Sequence, residues 1–301
     1  MQHTLILTSD PNAPALGPEI ASAAQSALAT VSAETGDIGW LAPEIACEIP
    51  FSGSEARADV LNRTRDAIGD SPVDVNIVLS EGRAKRLLVA DMDSTMITSE
   101  TLDDLAEFCG LKDTIAPITA RAMRGEIGFE DALRERVAML KGFPASLLDR
   151  LLAERIELTS GSGTLVATMR ANGAYAALVS GGFTFCTSHV RQLLGFDEDR
   201  SNTLLLEGDK LLGKVLEPIL GQDAKVTALN ELAGQIGATP ADALTVGDGA
   251  NDMAMLKAAG LGVAFRAKPA VAAAAAHRID HGDLTALLYL QGYSQTSFAP
   301  I

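Results

Sequence analysis

Cysteine is scarce in this sequence: three in 301 residues, Cys47, Cys109 and Cys186, widely separated and without a CxxC pair. That count and spacing exclude a disulfide framework and a cysteine-rich zinc site, and they fit a reducing compartment. Long apolar runs are also missing, with nothing near the ~18 residues of a membrane span. The opening MQHTLILTSDPN has no basic segment and too short an apolar stretch for a signal peptide. A cytoplasmic location with no membrane partner is therefore expected. Positive charge is the third deficit: 24 Lys and Arg stand against 39 Asp and Glu, a net charge of -15. Such a field repels nucleic acid and anionic membranes. Screening confines that repulsion to about 10 Å, so a local cluster of donors can still hold a small anion.

What is present is a 47% hydrophobic chain, long enough for about two domains. Residues 3–80 alternate as strand, helix, strand, strand, helix, strand, the βαββαβ order of a small α+β ferredoxin-like domain. The polar segment SEGRAKR (80–86) reads as a linker, which gives domains at 1–82 and 83–301. From residue 85 strands and helices alternate, the signature of an α/β fold with a parallel sheet. Three apolar strands end in VADMDST, LVSGG and TVGDGAND, and ligands in such sheets bind beyond the strands' carboxyl ends. The helical stretch over residues 100–157 exceeds one crossover and reads as an inserted cap at about 98–160. Leu102, Leu105, Ala106 and Cys109 mark one apolar stripe, and Phe129, Ala132 and Leu133 another. Arg136 continues the second stripe, and Lys225 shares a face with Leu229 and Leu232. Both cations are expected to reach an interior or a cleft. Pro117 predicts a break or a first turn within the cap.

Each motif has an ordinary reading beside the functional one. Asp91 and Asp93 could cap a helix, VSGG could be a glycine turn, and Glu100 could favour a helix start with a Thr101/Asp104 capping box. Arg136 could snorkel along the cap. Phe129 and Met123 read as core. The hairpin around Gly208-Asp209 could be a flap or a solvated turn. GDGAND (247–252) is more specific, because carboxylates and an amide in a glycine loop suit a hard cation. Residues 208–214 spell GxxxxGK, but Val215 replaces the hydroxyl residue and the pattern is a hairpin, so nucleotide binding is not expected. His277 and His281, i and i+4 on a possible helix, read as surface histidines, and Ala272–Ala276 reads as helix packing.

Taken together and in order, DMDSTMITSET, FEDALRERVAMLKG, VSGGF, LLLEGDKLLGKV, DAK and VGDGANDMAML resemble the haloacid dehalogenase superfamily, and within it the phosphoserine phosphatase family, over residues 85–290. The resemblance implies a Rossmann-like core with a helical cap. It implies Asp91 as nucleophile, Asp93 as general acid/base, and Glu100 and Arg136 as holders of the substrate's amino-acid end. Ser180, Gly181, Lys225 and Asn251 would bind the substrate. Mg2+ would be held by Asp91, Asp93 and Asp248, with Asp252 behind them. The amino-terminal domain resembles amino-acid-binding regulatory (ACT-like) domains, which implies a possible homodimer through it.

The chemistry is consistent with these roles. A phosphomonoester dianion repels a carboxylate nucleophile until positive charge neutralises it, here from Lys225 and Mg2+. Attack by Asp91 splits one hydrolysis into two easier steps, and Asp93, with Met92 turned away between them in an extended segment, can address the same pocket. A guanidinium at Arg136 suits a carboxylate, and Glu100 suits an ammonium. The expectation is hydrolysis of O-phospho-L-serine at the end of serine biosynthesis. The alternatives are phosphate transfer or hydrolysis on another small amine phosphate, such as phosphohomoserine or phosphoethanolamine, or an amino-acid sensor on a silent scaffold.

Overall fold

The structure is a computed structural model that describes residues 2–123 and 126–301. Its first part runs β1 (His3–Thr8), α1 (Pro18–Ala29), β2 (Glu34–Thr35), β3 (Gly39–Ala42), β4 (Ala46–Ser52), α2 (Arg57–Ile68) and β5 (Asp74–Leu79). The antiparallel sheet is ordered β2-β4-β1-β5, with β3 also on β4. Leu5, Leu7, Val75 and Ile77 pack into one apolar cluster with Leu28 of α1 and Val60 of α2. Ile6 and Val78 belong to a different cluster that extends into the rest of the chain. Both faces of this sheet are covered, which is why TLILT and NIVL read as nearly continuous apolar runs rather than alternating ones.

The second part begins with β6 (Leu87–Ala90), followed by α3 (Thr101–Phe108), α4 (Lys112–Met123), α5 (Phe129–Ala138), α6 (Ser146–Arg155) and α7 (Ser162–Ala171). Then come β7 (Tyr175–Phe183), α8 (Thr184–Leu194), β8 (Glu198–Asn202), β9 (Leu204–Glu207), β10 (Lys210–Val215) and α9 (Gln222–Gln235). The chain continues with β11 (Ala243–Gly247), α10 (Met253–Ala258), β12 (Leu261–Phe265), α11 (Pro269–Ala274), β13 (His277–Ile279) and α12 (Ala286–Leu290). The sheet is parallel and ordered β13-β12-β11-β6-β7-β8. Leu87 and Val89 face Leu229, Leu232 and Met255 on one side. Leu88 and Ala90 belong to the cluster of Val166, Val190 and Leu287 on the other. The chain leaves β6 toward β7 and β8, then returns to β11 on the other flank, so the strand order reverses at β6. A crevice at the carboxyl ends follows from that reversal.

The α3–α6 segment leaves and re-enters at a two-stranded neck, where Ile97 bridges Leu158 and Thr98 N–H donates to Glu157 O at 2.9 Å. The β9–β10 hairpin docks on it through Gly142 N–H to Leu211 O (2.8 Å) and Ala145 N–H to Asp209 O (2.7 Å). Residues 208–214 thus lie on an antiparallel hairpin. Among the described residues no helix is long and apolar enough to cross a membrane.

Several expectations change. Pro117 lies inside α4 without ending it. It is exposed between buried Ile115 and Ile118, so the carbonyl that loses its partner can turn to water while packing holds the helix. Neither α8 nor β8 is among the expected elements: α8 does carry an apolar face, with Cys186, Val190 and Leu194 buried, whereas EDRSN of β8 carries no apolar pattern and is an edge strand, where charge is tolerated. His277 is not on a surface helix: α11 stops at Ala274, and His277 is buried in β13. Ala273, Ala274 and Ala276 are exposed rather than packed. Met92 does not sit in an extended strand, since β6 ends at Ala90 and residues 92–96 coil, closed by Ile97 N–H to Met92 O at 3.1 Å. The side chain of Met123 lies outside the described residues.

Candidate active site

β6 delivers Asp91 to the crevice, where its N–H donates to Val246 O of β11 (3.0 Å). One carboxylate oxygen, Oδ1, accepts Met92 N–H at 2.8 Å and lies 2.7 Å from Lys225 Nζ. Lys225, only 1% exposed, comes from the face of α9 that also buries Leu229 and Leu232. Its ammonium also meets Asp252 Oδ1 at 2.6 Å, and Asp252 Oδ2 accepts Gly249 N–H at 3.0 Å. The loop after β11 needs glycine: a Cβ on Gly247 would stand 2.3 Å from Asp252 Cγ, and one on Gly249 2.3 Å from Asn251 Oδ1. Asp248 is buried, with Lys268 Nζ 3.5 Å away.

Asp93 and Ser180 meet across Gly182. A Cβ on Gly182 would lie 3.1 Å from Asp93 Oδ2 and 3.2 Å from Ser180 Oγ, and Ser180 Oγ accepts Gly182 N–H at 2.9 Å. Asp93 is held by the first residue of α3: Thr101 N–H donates to Oδ1 (3.3 Å) and its hydroxyl to Oδ2 (3.2 Å). Thr101 therefore does not form the capping box expected with Asp104; α3 begins without a side-chain cap. Ser94, at φ +53, turns the chain so that its hydroxyl donates to Glu100 Oε1 at 2.9 Å.

The cap adds Phe129 and Arg136, two turns apart on α5. Phe129 lies over Gly181, where a Cβ would come 2.9 Å from its ring. Arg136 donates from Nε to Ala132 O at 3.2 Å. Burial lowers its pKa, opposed by the charges of Asp103 and Glu100.

Acid groups crowd this crevice. Burial first, then the charge of Asp252, pushes Asp91 up to about 7 against the pull of Lys225. Asp93 is held well above the usual carboxylate range by burial, then by Glu100 and Asp91. Burial also raises Glu100 and Asp248. Lys225 is pulled down by burial, but Asp252 and Asp91 outweigh that and leave it raised. Asp91, Asp248 and Asp252 each present an oxygen within 4.8 Å of the others. Hard carboxylate oxygens with a shortage of nearby positive charge fit Mg2+. Asp252 already spends both oxygens, on Lys225 and Gly249, so Asp91 and Asp248 are the freer donors. The Asp93 carboxylate is not in that set; it faces Thr101.

All ten residues singled out from sequence thus have a place: Asp91, Asp93, Ser180, Gly181, Lys225, Asp248, Asn251 and Asp252 around the ends of β6, β7 and β11, Glu100 at the cap's start and Arg136 on α5. Sequence reasoning missed Thr101 and Lys268; Phe129, read as core, does pack against the main apolar cluster and also lies over Gly181. Lys268 follows the carboxyl end of β12, a signal of the kind that marked the other three strands.

The family model for haloacid dehalogenase-like hydrolases matches residues 88–257, more than half of the chain. The chain belongs to that family. This haloacid dehalogenase-like hydrolase is 39% identical over 290 residues to a phosphoserine phosphatase of Streptomyces coelicolor, covering 93% of this chain and 70% of that one. It is 44% identical over 186 residues to a phosphoserine phosphatase of Archaeoglobus fulgidus, covering 62% of this chain and 54% of the relative, so the chain spans about half of that protein's length. Among solved structures, a probable phosphoserine phosphatase of Vibrio cholerae superposes with a TM-score of 0.77 at 29% identity, over 98% of this chain and 88% of that one.

Proposed function

We propose that this hydrolase cleaves O-phospho-L-serine to L-serine and phosphate through an aspartyl phosphate on Asp91, the closing step of serine biosynthesis in the cytoplasm. The observation that carries this is Asp91 itself: one oxygen is tied to Lys225 and Met92, and the other has no hydrogen bond among the described residues. An anchored, half-free carboxylate is what a nucleophile requires. The names of the Streptomyces, Archaeoglobus and Vibrio proteins support the same substrate.

In this reading Asp91 attacks phosphorus as the bond to the serine oxygen breaks, and Asp93 gives its proton to that oxygen. A raised Asp93 suits the task, because burial and the charges of Glu100 and Asp91 favour its protonated form. Asp93 then takes a proton from water, whose oxygen attacks phosphorus and frees Asp91. Lys225 and Ser180 hold the phosphate oxygens, with Gly181 and Asn251 beside them. Asp91 and Asp248 would hold Mg2+, with Asp252 fixing the loop and the Asp93 carboxylate, expected from the resemblance as a ligand, turned instead to Thr101; when bound, the ion supplies positive charge against the phosphate. Arg136 and Glu100 bind the carboxylate and ammonium, and the cap (98–160) closes over them. Residues 1–82 would be a regulatory, ACT-like domain, with dimerisation through it.

The test is phosphate release with Mg2+ from O-phosphoserine, phosphothreonine, phosphoethanolamine and p-nitrophenyl phosphate. Preference for O-phosphoserine, abolished in Asp91→Asn, is expected. Equal rates on all four would refute the substrate assignment, and turnover surviving in Asp91→Asn would refute the nucleophile.

A further inference from the structure

The two sheets meet edge to edge. β5 closes the amino-terminal sheet and β13 closes the parallel one, and side chains of β5 join them. Asp74, 4% exposed, accepts three consecutive backbone N–H groups: Asp280 at 2.7 Å, His281 at 3.2 Å to each oxygen, and Gly282 at 2.8 Å. Asn76 exchanges two bonds with Arg278, Nδ2 to O at 2.8 Å and N–H to Oδ1 at 3.0 Å. Charge-assisted bonds of the first kind are about twice as strong as neutral ones.

The same segment continues to the neck of the cap. Asp283, 3% exposed, takes the Ser160 hydroxyl on Oδ2 (2.8 Å) and Thr285 N–H on Oδ1 (2.9 Å), and Leu284 N–H donates to Ser160 O at 3.1 Å. Ser160 lies in the turn after the Leu158 bridge, where the chain leaves the cap, next to Thr159, whose N–H donates to Met96 O at 3.0 Å. Gly161 follows at φ +80, and a Cβ there would stand 2.7 Å from Thr285 N. Only glycine allows that approach. Met96 closes the coil that carries Asp93.

We propose that residues 280–285 are a strut through which the amino-terminal sheet fixes the neck of the cap, with Asp74 and Asp283 as positioning residues that never touch substrate. The proposal rests on the reading of residues 98–160 as a substrate-closing cap. Contiguity becomes coupling only if one end responds to the other, and exchange at the neck reads that response directly.

The experiment is amide hydrogen exchange on the full chain, in wild type, Asp74→Asn and Ser160→Ala, with kinetics alongside. Asp74→Asn sets an amide group against N–H donors; Ser160→Ala removes one hydroxyl and keeps the fold. Both are expected to speed exchange at 97–99 and 157–161 at least fivefold and to raise KM for O-phosphoserine severalfold. For p-nitrophenyl phosphate, which lacks the amino-acid end, KM stays within twofold. Faster exchange in Asp74→Asn confined to 280–285, or an unchanged neck in Ser160→Ala, would overturn the strut. A wild type inert toward O-phosphoserine would overturn the substrate reading alone, because the exchange at the neck does not depend on it.

Discussion

His277 gives the fold a calculable dependence on acid. Its ring nitrogens face two backbone carbonyls across the sheet junction, Gly262 O at 3.2 Å from Nδ1 and Ile77 O at 3.0 Å from Nε2. A neutral imidazole can donate to one carbonyl only, so these acceptors favour the cation. Burial opposes it more strongly, and Arg57 and Lys85 add repulsion; the outcome is a pKa lowered from 6.5 to about 4. A folded-state pKa below the unfolded one means that between these values the unfolded chain binds the extra proton. The stabilisation is therefore complete above about pH 6.5 and is lost as pH falls through about 4. At 1.36 kcal/mol per unit, the full loss is about 3 kcal/mol.

The assay is urea unfolding of wild type and His277→Gln from pH 7.5 to 4. Carboxylates that titrate in this range contribute to both proteins and cancel in the difference. The substitution has a cost of its own at neutral pH, but that cost does not vary with pH. Wild type should lose about 3 kcal/mol relative to the variant on acidification. A constant difference would refute the buried neutral histidine. A difference that grows in favour of wild type would mean that the two carbonyls win and the ring is charged.

Lys225→Met leaves Asp91 and Asp252 facing each other without a partner and should destabilise the metal-free protein by about 3–5 kcal/mol at neutral pH; an unchanged urea midpoint would refute the ion-pair account. Arg136→Met should lower kcat/KM for O-phosphoserine by the 2–5 kcal/mol of a truncated charge pair, at least about 30-fold, while sparing p-nitrophenyl phosphate. Equal losses on both substrates would remove Arg136 from carboxylate recognition.

What the sequence made legible was chemistry placed against pattern. A lysine on the apolar face of Leu229 and Leu232 had to be paired inside, and it is, with two aspartates. Strands ending in carboxylates or glycines had to meet at one edge once the sheet was parallel. Less legible was whatever depends on partners distant in sequence. Thr101 looked like a helix cap because a capping box is local, yet its donors go to Asp93 across the coil. His277 and His281 shared a helical spacing after an alanine run, but the edge of β12 takes His277 into a strand, and β5 buries it. The polar strand β8 carried no period, because at an edge pairing alone holds it.

The acid excess that disfavours polyanions over the whole chain is repeated in miniature at the crevice. Asp91, Asp248 and Asp252 converge on one point, Asp93 and Glu100 stand nearby, and the buried cation among them is Lys225. A phosphate dianion entering such a place, as the proposed function requires, would meet repulsion from Asp91, the proposed nucleophile, and desolvation would strengthen that repulsion. Lys225 cannot cancel it alone, since its charge is already divided between two carboxylates. In the proposed reading a metal ion held by Asp91 and Asp248 would supply the positive charge that Lys225 alone does not. In that reading the two raised carboxyls differ by their partners: Asp91, pushed up by burial and Asp252, has Lys225 beside it to favour the ionised form a nucleophile needs, whereas Asp93, pushed up by burial, Glu100 and Asp91, is held by Thr101 rather than by a lysine, which suits a proton donor.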